Sequence, residues 1–315
     1  MPSIVTGHGI TLNYQDEGPK EAPAIILIMG LGAQMTVWPE PFFYGLVKKG
    51  FRVVRFDNRD TGLSTQLEQY GSPSLVQTWL KKRFASTAAA PYTLEDMCQD
   101  TLALMGALQI KKAHLVGASM GGMIAQSLAA KHKKKVLSLT LVMSSSSMPR
   151  LCTRNFLLFM RLLRLQPVRN NEASSINYLV RLNQLIGSPG YPQDEHTLQK
   201  QAKLSVARAH TPNGFKRQLV ALTYSGSREH LLPKIKAPTL VIHGLEDPIF
   251  PLCAGQKTAQ SIRKAKLKVV PGMGHNFPPE LMKKMTKWVA KHVTKSERKR
   301  LEKKARKCEL HIMKS

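Results

Sequence analysis

The apolar run His114-Leu115-Val116 leads into Gly117-Ala118-Ser119-Met120-Gly121, and a helix-like stretch over 123–130 follows at once. A G-x-S-x-G sequence between a strand and a helix is a nucleophile elbow, in which the serine sits on a sharp, strained turn. Side chains at 117 or 121 would collide with the neighbouring strand and helix, which is why glycine stands at both positions. The helix that begins beneath Ser119 leaves backbone N–H groups free to face an anion. Further strand-like runs recur at 10–14, 24–28, 52–56, 113–116, 136–143, 239–243 and 267–270, and helix-like stretches such as 94–108 lie between them. That alternation predicts an α/β chain with a mostly parallel, doubly wound sheet and helices on both faces.

A serine hydroxyl is a weak nucleophile until a base takes its proton. The run 238–243 reads as a buried strand, and Gly244-Leu245-Glu246-Asp247-Pro248 puts carboxylates in the loop at its end. After the short strand 267–270, Pro271-Gly272-Met273-Gly274-His275 places a histidine in the next loop. The chain order Ser, Asp, His is that of an α/β-hydrolase and differs from the orders in chymotrypsin and subtilisin. Asp247 is therefore expected to orient His275, and His275 to deprotonate Ser119, with Glu246 the competitor for the acid role. An oxyanion hole needs one N–H from the residue after the nucleophile, here Met120. A second must come from an upstream strand-end loop, and the glycine-rich Met29-Gly30-Leu31-Gly32 offers the N–H of Leu31.

Three segments then carry a resemblance: 27–34 with Met29-Gly30-Leu31-Gly32, 56–64 with Asp57-Asn58-Arg59-Asp60, and 117–126 around Ser119. Over roughly residues 10–290 the chain resembles the α/β-hydrolase family of serine esterases, and more narrowly its aclacinomycin methylesterase-like members. The resemblance implies an α/β-hydrolase fold, no cofactor, and a small-molecule ester substrate with a methyl or short alkyl group favoured. Many relatives carry histidine before the oxyanion-loop glycine, whereas Met29 stands there in this chain. Any bracing hydrogen bond from that side chain is absent, although the backbone donors at Leu31 and Met120 are unaffected. Haloalkane dehalogenases and epoxide hydrolases have similar elbows with Asp as nucleophile, so Ser119 argues against both. The rival readings are a lipase or thioesterase working at an anionic membrane surface and a non-catalytic, ligand-binding hydrolase relative.

Between 144 and 232 the strand alternation stops, and helical patterns over 155–165 and 175–186 replace it. The expected organisation is a hydrolase core of 1–143 and 233–294, a helical cap of 144–232, and a basic tail of 295–315. That tail holds nine Lys and Arg against three Glu, a net +6, within a chain of net charge +27. It reads as a solvated basic helix outside the catalytic domain, with nonspecific affinity for anionic surfaces. No nucleic-acid motif accompanies the charge, so specific nucleic-acid recognition is not expected. No apolar stretch approaches the roughly 20 residues of a membrane span, and the first residues lack the pattern of a secretory signal. Cys98, Cys152, Cys253 and Cys308 are scattered without C-x-x-C spacing, which suits free thiols in a reducing cytoplasm. The histidines show no paired ligand spacing, so a metal site is not expected. Gly30-Leu31-Gly32 starts like a dinucleotide fingerprint but lacks the third glycine. Asp57 and Arg59 follow a strand and read as a salt-bridge or hydrogen-bond network holding that loop, with a catalytic role the alternative.

Overall fold

Short runs of unbroken apolar residues, too short for helices, become strands buried on both faces. The computed structural model describes residues 2–73, 90–148, 171–209 and 211–312, together with Leu158 and Arg161. Its strands are β1 Ser3–Val5, β2 Thr11–Glu17, β3 Ala24–Ile28, β4 Arg52–Phe56, β5 Ala113–Ala118, β6 Val136–Val142, β7 Thr239–Gly244 and β8 Lys266–Val270. They form one eight-stranded sheet in the order β1-β2-β4-β3-β5-β6-β7-β8, antiparallel over β1, β2 and β4 and parallel from β4 to β8. The helices are α1 Glu40–Val47, α2 Leu94–Ala107, α3 Met120–Lys131, α4 Glu172–Ile186, α5 Glu195–Arg208, α6 Pro212–Tyr224, α7 Leu252–Ser261 and α8 Pro279–Ile312. The doubly wound sheet anticipated from the alternation is thus present. Strand β1 went unread because it is only three residues long with Ser3 and Val5 exposed, and α3 starts at Met120 because the elbow itself opens the helix. The pattern over 155–165 lies outside the described residues except for Leu158 and Arg161.

Alternation along each strand feeds two separate cores. Ile26, Ile28, Val54, Leu115 and Val241 face a layer that contains α2 and α3. Ile25, Leu27, Val53, Val116 and Ile242 face α1 and α8 on the other side, against Trp38, Phe42, Met282, Met285 and Val289. Between β6 and β7 the described residues form α4, α5, α6 and a short 3-10 turn at Glu229–Lys234, with no strand among them. All the parallel strands end on one side of the sheet, so the loops after β3, β5, β7 and β8 gather there.

The basic segment from residue 295 begins inside the last helix and touches the core at its start. Helix α8 continues from Pro279 to Ile312 without a break, Ser296 is buried, and Glu297 reaches back to the sheet. Glu297 Oε1 lies 3.1 Å from Nε2 of the buried His114, whose Nδ1 lies 2.8 Å from Ser138 Oγ. Because a carboxylate only accepts, His114 is assigned its proton on Nε2 and the Ser138 hydroxyl donates to Nδ1. A residue that anchors the helix to two strands needed the tertiary pairing to be seen.

The hydrogen bond from His114, helped by Arg300, holds the Glu297 carboxyl down at about 2. A carboxyl depressed by folding stabilises the native state above its unfolded value, near 4.5, and loses that contribution as pH falls through its folded value. Glu297→Gln is therefore expected to lower stability at neutral pH, with the gap to the parent closing between about pH 4.5 and about pH 2. Urea melts across that range check it. A gap that stays constant down to the lowest pH would show that the lost interaction is not the ionised one.

Candidate active site

Gly117 lies one residue before the end of β5, where α3 turns back across it, and a Cβ there would run into the backbone of Gly121 and Gly122. A Cβ on Gly121 would likewise strike the carbonyl oxygens of Ile28 and Met29 at the end of β3. The two glycines thus let strand, helix and neighbouring loop close up around Ser119. That residue takes φ +51 and ψ −119 as the cap of α3, a left-handed conformation costly for a residue with a side chain. Its backbone is held by the N–H, which donates to Val142 O at 3.0 Å, and by its carbonyl oxygen, which accepts from Ser144 Oγ at 2.7 Å.

The loop after β8 brings His275 to this point. His275 Nε2 lies 3.1 Å from Ser119 Oγ, and Nδ1 lies 2.8 Å from Asp247 Oδ2. The histidine is positioned from the segment after β6: its N–H donates to Ile186 O at 2.7 Å, and the N–H of Gly274 donates to Ser188 Oγ at 2.9 Å. Asp247, buried in the loop after β7, uses its other oxygen to accept from the N–H groups of Ile249 and Phe250 at 2.9 and 2.8 Å. Its two oxygens therefore have distinct jobs, and the carboxylate cannot turn without breaking three hydrogen bonds. The competing Glu246 has Oε2 buried with no hydrogen-bond partner, and no bond joins it to His275 among the described residues. The structure brings Ser119, His275 and Asp247 into one hydrogen-bonded line and leaves Glu246 outside it.

Leu31 follows Gly30 in the loop after β3, and Met120 follows the serine as the first residue of α3. Gly30 lies against it, since a Cβ there would come 3.1 Å from Ser119 Cβ and 3.7 Å from its Oγ. Neither the N–H of Leu31 nor that of Met120, the first residue of α3, is engaged with another backbone group in a described turn or cap. Asp57 and Arg59 serve structure. Asp57 accepts from the N–H groups of Met35 and Leu63 at 2.7 and 3.0 Å, and Arg59 grips Asp100 through two nitrogens at 2.6 and 2.7 Å.

Sequence reasoning missed His243, the next-to-last residue of β7, with Nε2 3.8 Å from Asp247 Oδ2. Burial lowers its pKa and favours the neutral ring, and Nε2–H donates to Phe250 O at 2.8 Å, so it shapes the Asp247 loop without adding charge. It also missed Arg208, Arg217 and Gln218 on α5 and α6, all of which contact the loops around the serine. No local signal marks them, because each is an ordinary polar residue in a helical pattern whose partner lies more than a hundred residues away.

A sequence profile described as the alpha/beta hydrolase fold matches residues 23–280. The chain belongs to the alpha/beta hydrolase fold family. It is 28% identical over 303 residues to rhodomycin D methylesterase DauP of a Streptomyces species, spanning 88% of this chain and 93% of that protein. With 3-oxoadipate enol-lactonase 1 of Acinetobacter baylyi the identity is 28% over 268 residues, or 85% of this chain and 87% of that one. Among solved structures, the enol-lactonase from Burkholderia xenovorans LB400 superposes with a TM-score of 0.72 at 24% identity, covering 93% of this chain and 100% of that chain, a likeness of fold. The methylesterase resemblance read from the three motifs agrees with these matches. No helix among the described residues is long and apolar enough to cross a membrane.

Proposed function

We propose that this protein is a serine hydrolase that cleaves a carboxylic ester through an acyl-enzyme, with a methyl or short alkyl ester favoured. The observation that carries the reading is the line from Ser119 Oγ through His275 to Asp247, at 3.1 and 2.8 Å. Both lengths fall within hydrogen-bond reach, as general-base activation requires. Ser119 Oγ attacks the ester carbonyl carbon while its proton passes to His275 Nε2. Asp247 accepts from Nδ1–H and stabilises the imidazolium that forms. The N–H groups of Leu31 and Met120 donate to the oxyanion, and the tetrahedral species collapses as the imidazolium gives its proton to the departing alcohol. Water, deprotonated by the same imidazole, then releases the acid and restores Ser119. The relatives named as methylesterase and enol-lactonase support an ester-type bond. The helical segment 144–232 acts in this reading as a cap over the bound acyl group, and the unpaired thiol of the buried Cys98 suits a cytoplasmic setting.

A fluorophosphonate probe followed by a panel of esters graded in chain length tests the reading. Labelling of Ser119 with the highest kcat/KM on short esters is expected. Rising activity with chain length and a jump on vesicles would hand the site to a lipase, and no labelling at all would leave a ligand-binding relative.

The basic stretch of α8 extends this reading to an anionic surface. Lys295 is held below the usual lysine value by Lys266 and Lys299, with Arg298 and Lys291 adding to the repulsion, so cations crowd there without enough acids to offset them. Each basic residue near an anionic bilayer contributes on the order of 1 kcal/mol, screened over about 8 Å at physiological salt. Replacing Lys295, Arg298, Lys299 and Lys303 by Gln leaves the Glu297 contact in place. The variant should keep turnover on a soluble ester yet bind phosphatidylserine vesicles less tightly, by a margin that shrinks as salt rises. Unchanged binding at low salt would move the docking surface elsewhere on the chain.

A further inference from the structure

The oxyanion loop has little of its own to hold it. It runs Met29-Gly30-Leu31-Gly32, Gly32 takes φ +65, and Met29 supplies no side-chain hydrogen bond, only a carbonyl oxygen that accepts from Asn58 at 3.0 Å. Two glycines flank Leu31, and the Gly30–Leu31 peptide is tied within the loop by a long turn bond, from the N–H of Ala33 to Gly30 O at 3.4 Å, which leaves the direction of the Leu31 N–H some freedom. Helix α6 removes that freedom. Gln218, fully buried on it, presents Oε1 to the N–H of Gly32 at 2.7 Å, while its Nε2 donates to Arg59 O and to Thr61 Oγ1, each at 2.7 Å. The side-chain amide is thus itself locked and cannot rotate to release Gly32. Phe215, one turn earlier, completes the clamp, since a Cβ on Gly32 would come 2.7 Å from its ring.

Neighbouring contacts seat the helix. Arg217 grips the buried Asp60 with Nε at 2.9 Å and Nη2 at 2.7 Å, and Tyr92 donates its hydroxyl to the same carboxylate at 2.8 Å. At the end of α5, Arg208 donates to Asp57 at 2.7 Å and to Gln34 at 2.6 Å, and Asp57 in turn accepts from the N–H of Met35. Loop 29–35 is therefore held at Gly32 by α6 and at Gln34 and Met35 through α5, both helices of the insertion between β6 and β7. With the Leu31–Gly32 peptide pinned by Gln218, Gly30 packed on Ser119 and Gly30 O accepting from Ala33, the intervening Gly30–Leu31 peptide is held on both sides.

We propose that Gln218 is a positioning residue that aims the Leu31 N–H into the oxyanion hole, so that the hole is complete only while the helical insertion is seated. The inference rests on the serine-hydrolase reading. It assigns to the insertion a part in the chemistry as well as in enclosing the substrate.

The test measures kcat and KM per active site, with sites counted by fluorophosphonate titration, in Gln218→Met, Gln218→Asn and Gln218→Glu. Gln218→Met removes the acceptor and is expected to lower kcat per titrated site on the order of ten- to a hundredfold, short of the loss from deleting an oxyanion donor outright. KM should change little, and the pH dependence set by His275 should stay in place, because the serine–histidine–aspartate line is untouched. Gln218→Glu keeps an acceptor for Gly32, and its second oxygen, kept protonated by burial against Arg59 O, donates in place of Nε2, so the greater part of kcat should return. If Gln218→Met fails to fold, Gln218→Asn carries the test, since its amide is retained but falls one methylene short of Gly32, and the same drop is expected. A wild-type enzyme that labels, with variants whose kcat per labelled site stays within about threefold, would sink the positioning role and leave the hydrolase reading standing. A wild-type chain that does not label would remove the reading itself.

Discussion

Ser119→Ala is expected to abolish ester hydrolysis while leaving the fold intact. Alanine keeps the Cβ and removes only Oγ, and the backbone bonds that hold this residue at φ +51, from its N–H to Val142 and from Ser144 to its carbonyl oxygen, do not involve that atom. The strain of the elbow is therefore unchanged. What disappears is the bond-forming atom, and loss of a triad nucleophile costs on the order of a million-fold in kcat. Circular dichroism and a thermal melt should match the parent. Purified variant that retains more than a few per cent of the parent's turnover, with contaminating hydrolases excluded, would place the nucleophile elsewhere.

The second large effect belongs to Asp247→Asn. One oxygen of Asp247 accepts from two backbone N–H groups and the other faces His275 Nδ1 at 2.8 Å. Asparagine can satisfy the backbone donors with its carbonyl oxygen, but its NH2 is then turned toward His275. Two donors cannot face each other, so the imidazole shifts its proton to Nε2 and loses the lone pair that would take the proton of Ser119. A loss of roughly ten-thousand-fold in kcat is expected with the geometry preserved. Glu246→Gln should be far milder, since no hydrogen bond ties that side chain to the histidine. The reverse ranking in folded, purified variants would give the acid role to Glu246.

The central strands were legible because burial on both faces demands apolar runs, as in Ala24–Ile28 and at Leu240, Val241 and Ile242 of β7. Strand β1 and the polar end of β2 at Asp16 and Glu17 were not, since at a sheet edge half-exposed positions need no apolar side chain. The elbow could be read because its geometry is local. Ser119, its two glycines and the helix start all lie within a few residues, and steric exclusion at 117 and 121 dictates glycine whatever the rest of the chain does.

The order of Ser119, Asp247 and His275 and the loops that carry them could be read from the sequence alone, because each is a strand-end residue and parallel strands end on one side of a sheet. The sequence left Glu246 in competition with Asp247, for adjacent carboxylates in one loop point to different sides and only the fold says which side faces the histidine. It could not show that Glu297, well along the basic helix, belongs to the core through His114, nor that Gln218 of the insertion holds Gly32. Those contacts join residues 183 and 186 positions apart, a separation over which no local periodicity carries information. Tertiary structure decided them because a buried amide or carboxyl is stable only where its partners meet it in space.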